Sequence, residues 1–411
     1  MTLPEGAFSA GTSARPVEIA VVGGGIAGCT IAFELASCGR SVLLLEQGAL
    51  ASAASGRNTG TLLHQTEPEV VQMMRASLHV YAELASGSVH FHLQKREQLL
   101  LASEWVPLEA VRARAEQMRT LGIAVEAVSG EELHRQFPPL RPDLPGGYVA
   151  ADAWTLEPLW TTQAFAQAAR EAGASLRTQV QVIQLVVRSG RVEGLLTDQG
   201  RIAADRVVLA NGPWMSDLLR SVEGKTGFVQ GGLTTGRGWL VRTSQPREEI
   251  PWIIEEMSWL PQADLGRAVR LPNLAELAAG TYARPVVEAF VFAPMAAGDA
   301  LLGASLAPSL RDTAEGTDMP ARLAQRALSL APGLAMLGAA NAWYGLRPMT
   351  ADGLPVAGAT AIEGLYLHGG HGSLGMQAAP ATARWLAQTM IENQPRPEMT
   401  WLSPARFANT V

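Results

Sequence analysis

Residues 17–46 read Val17-Glu-Ile-Ala-Val-Val22-Gly23-Gly-Gly25-Ile-Ala-Gly28-Cys-Thr-Ile-Ala-Phe-Glu-Leu-Ala-Ser-Cys38-Gly39-Arg-Ser-Val42-Leu-Leu-Leu-Glu46. The apolar run Ile19 to Val22 is the pattern of a strand buried on both faces. It runs into Gly23-x-Gly25-x-x-Gly28, and a helix-period segment follows to about Cys38, where Gly39 stops it. A second buried strand, Val42 to Leu45, ends on Glu46. Gly23 lets the chain turn sharply, Gly25 lets the backbone approach a pyrophosphate, and Gly28 with Ala32 keeps helix and strands close. Free N–H groups at the helix start, with the positive end of its dipole, suit phosphates. Glu46 stands where a carboxylate accepts hydrogen bonds from an adenosine ribose and repels a 2′-phosphate. Three spaced glycines alone would say little in a chain with 41 of them. Strand, glycines, helix, second strand and terminal acid in one unit are specific.

Outward from this unit, Ala51 to Gly60 is a small-residue loop placed to wrap a cofactor. Residues 68–85 have helical periodicity through Val70, Val71, Met74, Leu78, Tyr81 and Leu84. His64 and His79 beside it suit packing or solvation. Short strands, Gln98 to Leu101 and Ile123 to Ala127, flank a helix over 107–120, and Pro138, Pro139, Pro142 and Pro145 mark a crossover. An amphipathic helix spans 157–172. A hairpin joins Gln179–Val187 to Val192–Thr197 through Ser189-Gly190. Ala204 to Ala210 is a buried strand that re-enters the nucleotide sheet and ends at Gly212.

Residues 225–340 mix strands (Trp239 to Arg242, Phe290 to Ala293, Leu301 to Ser305) with a long Trp- and Pro-containing stretch, 246–280. The variety suits a substrate-binding sheet with lid-like loops. Trp252, Glu255, Glu256 and Trp259 are candidate pocket residues, though packing is the more ordinary role for each. Near the C-terminus, the strand Leu365 to His368 meets Gly369-Gly-His371-Gly-Ser-Leu-Gly375, which opens a helix over 376–392. One nucleotide does not need two glycine loops for its phosphates. A flavin offers a second target, because its pyrimidine edge becomes negative on reduction and a helix dipole stabilises that charge.

Composition narrows the class. With 47% hydrophobic and 17% charged residues, 411 residues are ample for two or three domains around large cores. A net charge of −6 without a basic stripe argues against a nucleic-acid partner. Cys29 and Cys38 lie nine residues apart along one helix. At about 1.5 Å of rise per residue they are too distant to pair. With neither a disulfide framework nor a cysteine metal site, a reducing, cytoplasmic setting is expected, and no metal ligand set is assigned. The first sixteen residues lack an apolar signal core and read as a loose tail. No apolar run approaches the roughly 20 residues of a membrane span.

Together, Val21-Val-Gly-Gly-Gly-Ile-Ala-Gly28 with Glu46, Ser55-Gly-Arg-Asn58, Asp205-Arg-Val-Val-Leu-Ala-Asn-Gly212, Tyr282-Ala-Arg-Pro285, Gly345-Leu-Arg-Pro-Met-Thr-Ala-Asp-Gly353 and His368-Gly-Gly-His-Gly-Ser-Leu-Gly375 make a chain that resembles the FAD-dependent D-amino-acid-oxidase superfamily. The likeness is to the branch of glycine oxidase, D-amino-acid dehydrogenase, and the flavin subunits of opine, proline and cyanide-forming glycine dehydrogenases. It implies a mixed α/β (α+β) fold: a Rossmann-like FAD-binding domain (17–86, 147–223 and 341–395) with a mixed, mainly antiparallel substrate or cap sheet (87–146 and 224–340). Tails at 1–16 and 396–411 complete the division.

The resemblance also implies chemistry: oxidation of a C–N bond beside a carboxylate, by hydride transfer to flavin N5, giving an imine that hydrolyses to a keto acid. Arg347, in Leu-Arg-Pro, takes the place of the carboxylate-binding arginine, a role its planar charged fork suits. Tyr282 is the second substrate contact and His371 a catalytic candidate. Cofactor contacts fall on Gly23, Gly25, Ile26, Ala27, Gly28, Glu46 and Gln47; on Ser55, Arg57, Asn58, Thr59 and Gly60; on Val180, Ala210, Gly212 and Trp214; and on Arg347, Gly372, Ser373, Leu374, Gly375 and Met376. Some relatives tether FAD through a cysteine at the position of Gly345 or a histidine near Arg57, so FAD is expected to be non-covalent here. The loop His371-Gly-Ser-Leu374 lacks the arginine of glycine oxidase, which argues against that activity. Oxidase members often place a lysine near N5, and the only lysines here, Lys95 and Lys225, fall in no motif, which argues against oxygen as the natural acceptor; oxygen and an electron-acceptor partner both stay open. Two alternatives stay open: a 2-hydroxy-acid or polyol-phosphate dehydrogenase with His368 or His371 as base, and a flavin subunit of a heteromeric complex. A homo-oligomer is equally open.

Overall fold

The structure, a computed structural model, describes residues 16–222, 233–246, 250, 252–256, 287–308, 317–393 and 396–407. The opening unit folds as β1 (Val17–Val22), α1 (Ile26–Ser37) and β2 (Val42–Leu45). β1 is flanked by β2 on one side and β10 (Gly200–Leu209) on the other, both parallel to it. β17 (Leu365–Gly369) pairs in parallel with β10, and β7 (Ser175–Arg177) with β2; β16 (Val356–Ala359) closes the edge antiparallel to β17. The hairpin of β8 (Val182–Arg188) and β9 (Arg191–Thr197) continues from β10. Parallel pairing puts the C-terminal ends of β1, β10 and β17 on one edge. Gly23, Gly212 and the Gly369 loop therefore meet there although they are far apart in sequence.

Helices cover this sheet because its strands are apolar on both faces. α1, α2 (Pro68–Ala85), α5 (Pro158–Glu171) and α8 (Gly375–Glu392) bury Ile31, Leu35, Met73, Tyr81, Phe165 and Leu386 in one cluster. Pro380 lies inside α8 and cannot donate to the Met376 carbonyl one turn earlier. The hydroxyl of buried Tyr81 donates to that carbonyl instead, at 2.8 Å. Arg384, also on α8, forks between Glu34 of α1 and Glu83 of α2.

The second sheet is mostly antiparallel. Its described strands run in the order β15 (Ala339–Thr350), β11 (Leu233–Thr243), β14 (Ala300–Pro308), β13 (Val287–Pro294), β12 (Trp252–Glu256), β4 (Leu93–Leu101), β6 (Gly146–Leu156) and β3 (Thr61–Leu62), with β5 (Val125–Ser129) also on β6. Helices α3 (Leu108–Thr120), α4 (Gly130–Gln136) and α7 (Met319–Leu330) supply side chains to its outer cores, and the short α6 (Met215–Arg220) follows β10 in the first domain.

Two features differ from the sequence-based division. β3, β6 and β15 hydrogen-bond within the second sheet, although their residues fall in segments assigned by sequence to the FAD-binding part. Each is a crossing strand, leaving one domain and completing the sheet of the other. The described C-terminal residues also pack rather than trail. Met399, Leu402 and Phe407 are buried, and the Leu402 carbonyl accepts from the Ala357 amide at 2.9 Å.

Candidate active site

Between the two sheets lies a cleft of about 670 Å³, entered by the N-termini of both α1 and α8. At α1 the helix approaches the turn so closely that a Cβ on Gly28 would occupy the space of the Gly23 carbonyl oxygen. The Ser55 hydroxyl accepts from the Ile26 amide at 2.9 Å, so the loop after β2 reaches back to the helix start. Glu46 accepts from the amides of Gly24 (2.6 Å) and Gly48 (2.7 Å), which fixes its carboxylate beside the glycine turn.

Asn58 folds that loop on itself, donating to the carbonyls of Ala54 and Ser55 and accepting from the Gly60 amide. The Trp343 indole N–H donates to the Arg57 carbonyl at 3.3 Å, tying the loop to β15. At α8, the Gln377 side chain exchanges two hydrogen bonds with the backbone of Leu63 (3.1 and 3.0 Å) and pins the helix start to the second sheet.

Arg347 projects from β15 into this cleft. Its Nη1 donates to the Ser305 carbonyl on β14 at 3.0 Å, so the guanidinium reaches across β11. The crossing is open because β11 carries Gly238 at that point; a Cβ there would fall inside the guanidinium. Among the described residues no carboxylate pairs with it, and desolvation alone pulls its pKa down to about 10. It is still charged at neutral pH. Among the described residues no carboxylate takes the donors that the Ser305 carbonyl leaves over.

A second polar group stands at the other glycine loop. His368 Nδ1 is 3.0 Å from the Ala27 carbonyl, and the Nε2 atoms of His368 and His371 are 2.9 and 3.0 Å from the Thr382 hydroxyl. Burial lowers His368 to about 4 and His371 well below its ordinary value, so both rings are neutral. Ala27 can only accept, so His368 carries its proton on Nδ1, and its Nε2 competes for the Thr382 hydroxyl proton with the Ala378 carbonyl, 3.0 Å from that hydroxyl. Thr382 in turn accepts from His371 Nε2–H. This leaves His371 Nδ1 as an unprotonated acceptor on a residue of the cleft wall.

The family described as FAD dependent oxidoreductase, DAO, matches residues 18–389 of this sequence. The chain belongs to the DAO family. The D-amino acid dehydrogenase of Cereibacter sphaeroides is 26% identical to this DAO chain over 350 residues, covering 84% of it and 72% of the relative. Pseudomonas putida glycine oxidase is 26% identical over 395 residues, covering 92% and 95%. The crystal structure of L-proline dehydrogenase from P. horikoshii has the same fold, with a TM-score of 0.79 at 20% identity, covering 96% of this chain and 98% of that one. The DAO chain is thus an FAD-dependent oxidoreductase, and the cleft fits that cofactor. Two helix N-termini face it, the Glu46 carboxylate is oriented at its edge, and at Gly25 a Cβ would press on Ser55.

Of the cofactor contacts expected from sequence, all but Gly28 and Gly60 line the cleft, and those two shape the turns behind it. Arg347 and His371 line it as well. Tyr282, Trp259 and Lys225 lie outside the described residues. Sequence reasoning missed Gly238, Leu240, Ala289, Val291 and Ser305, which form the wall on the second sheet, and Gln65 in the loop after β3. No motif marks them; the one available signal was strand alternation, which puts Gly238 and Leu240 on the same face. Of the four candidates in the middle of the chain, Glu255 lines the cleft. Glu256 points to the opposite face, with Arg326 and Ser103, and Trp252 is in the core.

Two expectations follow from this DAO site. Gly238→Ala should displace the Arg347 guanidinium without backbone strain, lowering kcat/KM about 100-fold while the FAD content of the purified protein is retained. Steady-state kinetics beside a flavin-to-protein absorbance ratio checks it. The second concerns pH. Unfolded histidine takes up a proton near 6.5, whereas His368 in the fold refuses it until about 4. Stability from this group is complete above pH 6.5 and is lost as pH falls toward 4, by up to about 3 kcal/mol. Urea midpoints at pH 7 and pH 5 should show the drop, and His368→Asn should flatten it.

Proposed function

We propose that this protein oxidises an amino acid or secondary amine at the carbon next to its carboxylate. The observation that carries the reading is Arg347: a charged, desolvated fork in the cofactor cleft, held by one backbone carbonyl and paired with no carboxylate among the described residues. The relatives named D-amino acid dehydrogenase and glycine oxidase support the same substrate class. FAD bound in the cleft supplies the two-electron acceptor. The chain's share is to fix the carboxylate through Arg347, so that the neighbouring C–H is presented in one orientation, and to keep water out of the wall formed by Leu240, Ala289 and Val291. The released imine hydrolyses to a keto acid. No strong base is required for a neutral amine. An alcohol substrate would require one, and the neutral rings of His368 and His371 are weak bases.

FAD is non-covalent in this reading, since Gly345 and Arg57 offer no sulfur or imidazole for attachment. Denaturation should release all the flavin into the filtrate. The deciding experiment is anaerobic flavin absorbance against a panel of amino and imino acids and a matched panel of 2-hydroxy acids. Bleaching by the amine panel is expected. Bleaching by the hydroxy acids alone would overturn the proposal.

A further inference from the structure

The second-sheet side of the cleft holds hydrogen-bond donors at two separate points. At one, the Arg347 guanidinium lies over Gly238 and reaches the Ser305 carbonyl on β14. Ala289 and Val291 of β13, apolar and short, follow it along the wall. Past β13 the sheet continues through β12 to β4. There the loop after β3 is held against β4, because the His64 amide donates to the side-chain carbonyl of Gln98 at 2.9 Å. The next residue of that loop, Gln65, lines the cleft and is half-buried.

Gln65 is clamped from behind. Nη2 of Arg114, on α3, donates to Gln65 Oε1 at 3.2 Å, and its Nη1 donates to the Thr66 hydroxyl at 2.9 Å. Arg114 is only 4% exposed. A guanidinium donates and never accepts, so the Gln65 atom that meets it is the carbonyl oxygen, and the amide nitrogen is the free end. Among the described residues nothing accepts from Gln65 Nε2. The charge behind this amide is balanced. Glu255, also on the cleft wall, lies close enough for its field to favour protonated Arg114, and its Oε2 accepts from Gln98 Nε2 at 2.7 Å. This end of the cleft therefore offers a neutral pair of N–H donors in a fixed orientation.

We propose that Gln65 is a specificity-determining residue: besides the carboxylate held by Arg347, the substrate carries an oxygen acceptor that the Gln65 amide recognises. That oxygen belongs to the α side chain or to the substituent of a secondary amine, and in both cases the connecting methylenes lie on Ala289 and Val291. The amide cannot turn to offer its own oxygen without facing its N–H groups to the Arg114 donors. Gln65 therefore discriminates in one direction, for acceptors and against hydrocarbon of the same shape. This inference rests on the amine-oxidising reading above and adds a second recognition point to it. Two rival roles must be separated by the experiment: bracing Arg114, and touching the cofactor instead of the substrate.

The test uses the FAD-loaded enzyme under anaerobic conditions, with both enantiomers of each compound. Flavin reduction is followed with glutamine and with glutamate, each against homoleucine, which has the same branching without oxygen. N-(carboxymethyl)alanine against N-isobutylalanine makes the same comparison on the amine substituent. The expected result is a preference of about 10-fold, in reduction rate over Kd, for an oxygen-bearing compound over its hydrocarbon partner, the effect of one satisfied hydrogen bond. Gln65→Glu separates the roles, because its carboxylate still accepts from Arg114 but has no N–H to donate. In Gln65→Glu and in Gln65→Leu, scored on the FAD-loaded fraction, the preference should fall below about threefold. A bracing role would leave the ratio intact in Gln65→Glu. A cofactor contact would lower the FAD content of both variants and leave the ratio intact. Either result overturns the proposal, as does a wild-type enzyme with no preference in any pair. Should no amine bleach the flavin, the functional reading fails by itself. Kd values from flavin spectral titration with the same pairs still decide this point, and equal affinities would overturn it.

Discussion

Arg347→Ala is expected to lower kcat/KM for the physiological substrate about 10³-fold. The guanidinium is desolvated, its surroundings hold no competing anion among the described residues, and it offers a substrate carboxylate a charged, two-pronged contact. Removing one partner of such a buried pair costs about 2–5 kcal/mol. Because the carboxylate sits beside the reacting carbon, loss of the anchor also loosens orientation, so kcat should fall together with a rise in KM. Arg347→Lys should recover only part of the loss, since an ammonium cannot make the paired contact. A kcat/KM for Arg347→Ala within threefold of the parent enzyme would remove the anchor assignment.

Gly28→Ala should give a protein that retains less than about a tenth of its FAD and unfolds at lower denaturant. The Cβ would need the space of the Gly23 carbonyl, so α1 must move off the turn or the turn must open. Overpacking of this kind costs about 1–3 kcal/mol in a core. Here it also displaces the amides of Gly25 and Ile26 from the cleft they line. Flavin-to-protein ratio and a urea transition read the two effects separately. Full FAD occupancy in Gly28→Ala would mean that the close approach of helix and turn is not what builds the phosphate end.

The two ends of the cradle were legible in the sequence because backbone geometry dictates them. A sharp turn, a helix start and a close approach each demand glycine, and parallel strands leave apolar runs that no surface segment shows. Glu46 was legible as the residue that directly follows the apolar run of β2. Arg347 was reached by resemblance, through Leu346-Arg347-Pro348, and its packing adds what the motif could not: the clearance over Gly238 and the bond to Ser305. His371 was singled out as a reactive ring, and the structure ties its Nε2 to Thr382, a residue with no sequence signal at all.

From the sequence alone came the nucleotide-binding unit, the second glycine loop and therefore the cofactor, since those depend on which residues tolerate a given backbone path. The tertiary structure alone decided which strand belongs to which sheet, and that Arg347 and Glu255 face one cleft from β15 and β12. Those relations depend on the order of strands across a sheet, β15-β11-β14-β13-β12, which brings together residues more than ninety positions apart. Local propensity carries no record of that order, because each of these strands would be equally content beside a different neighbour.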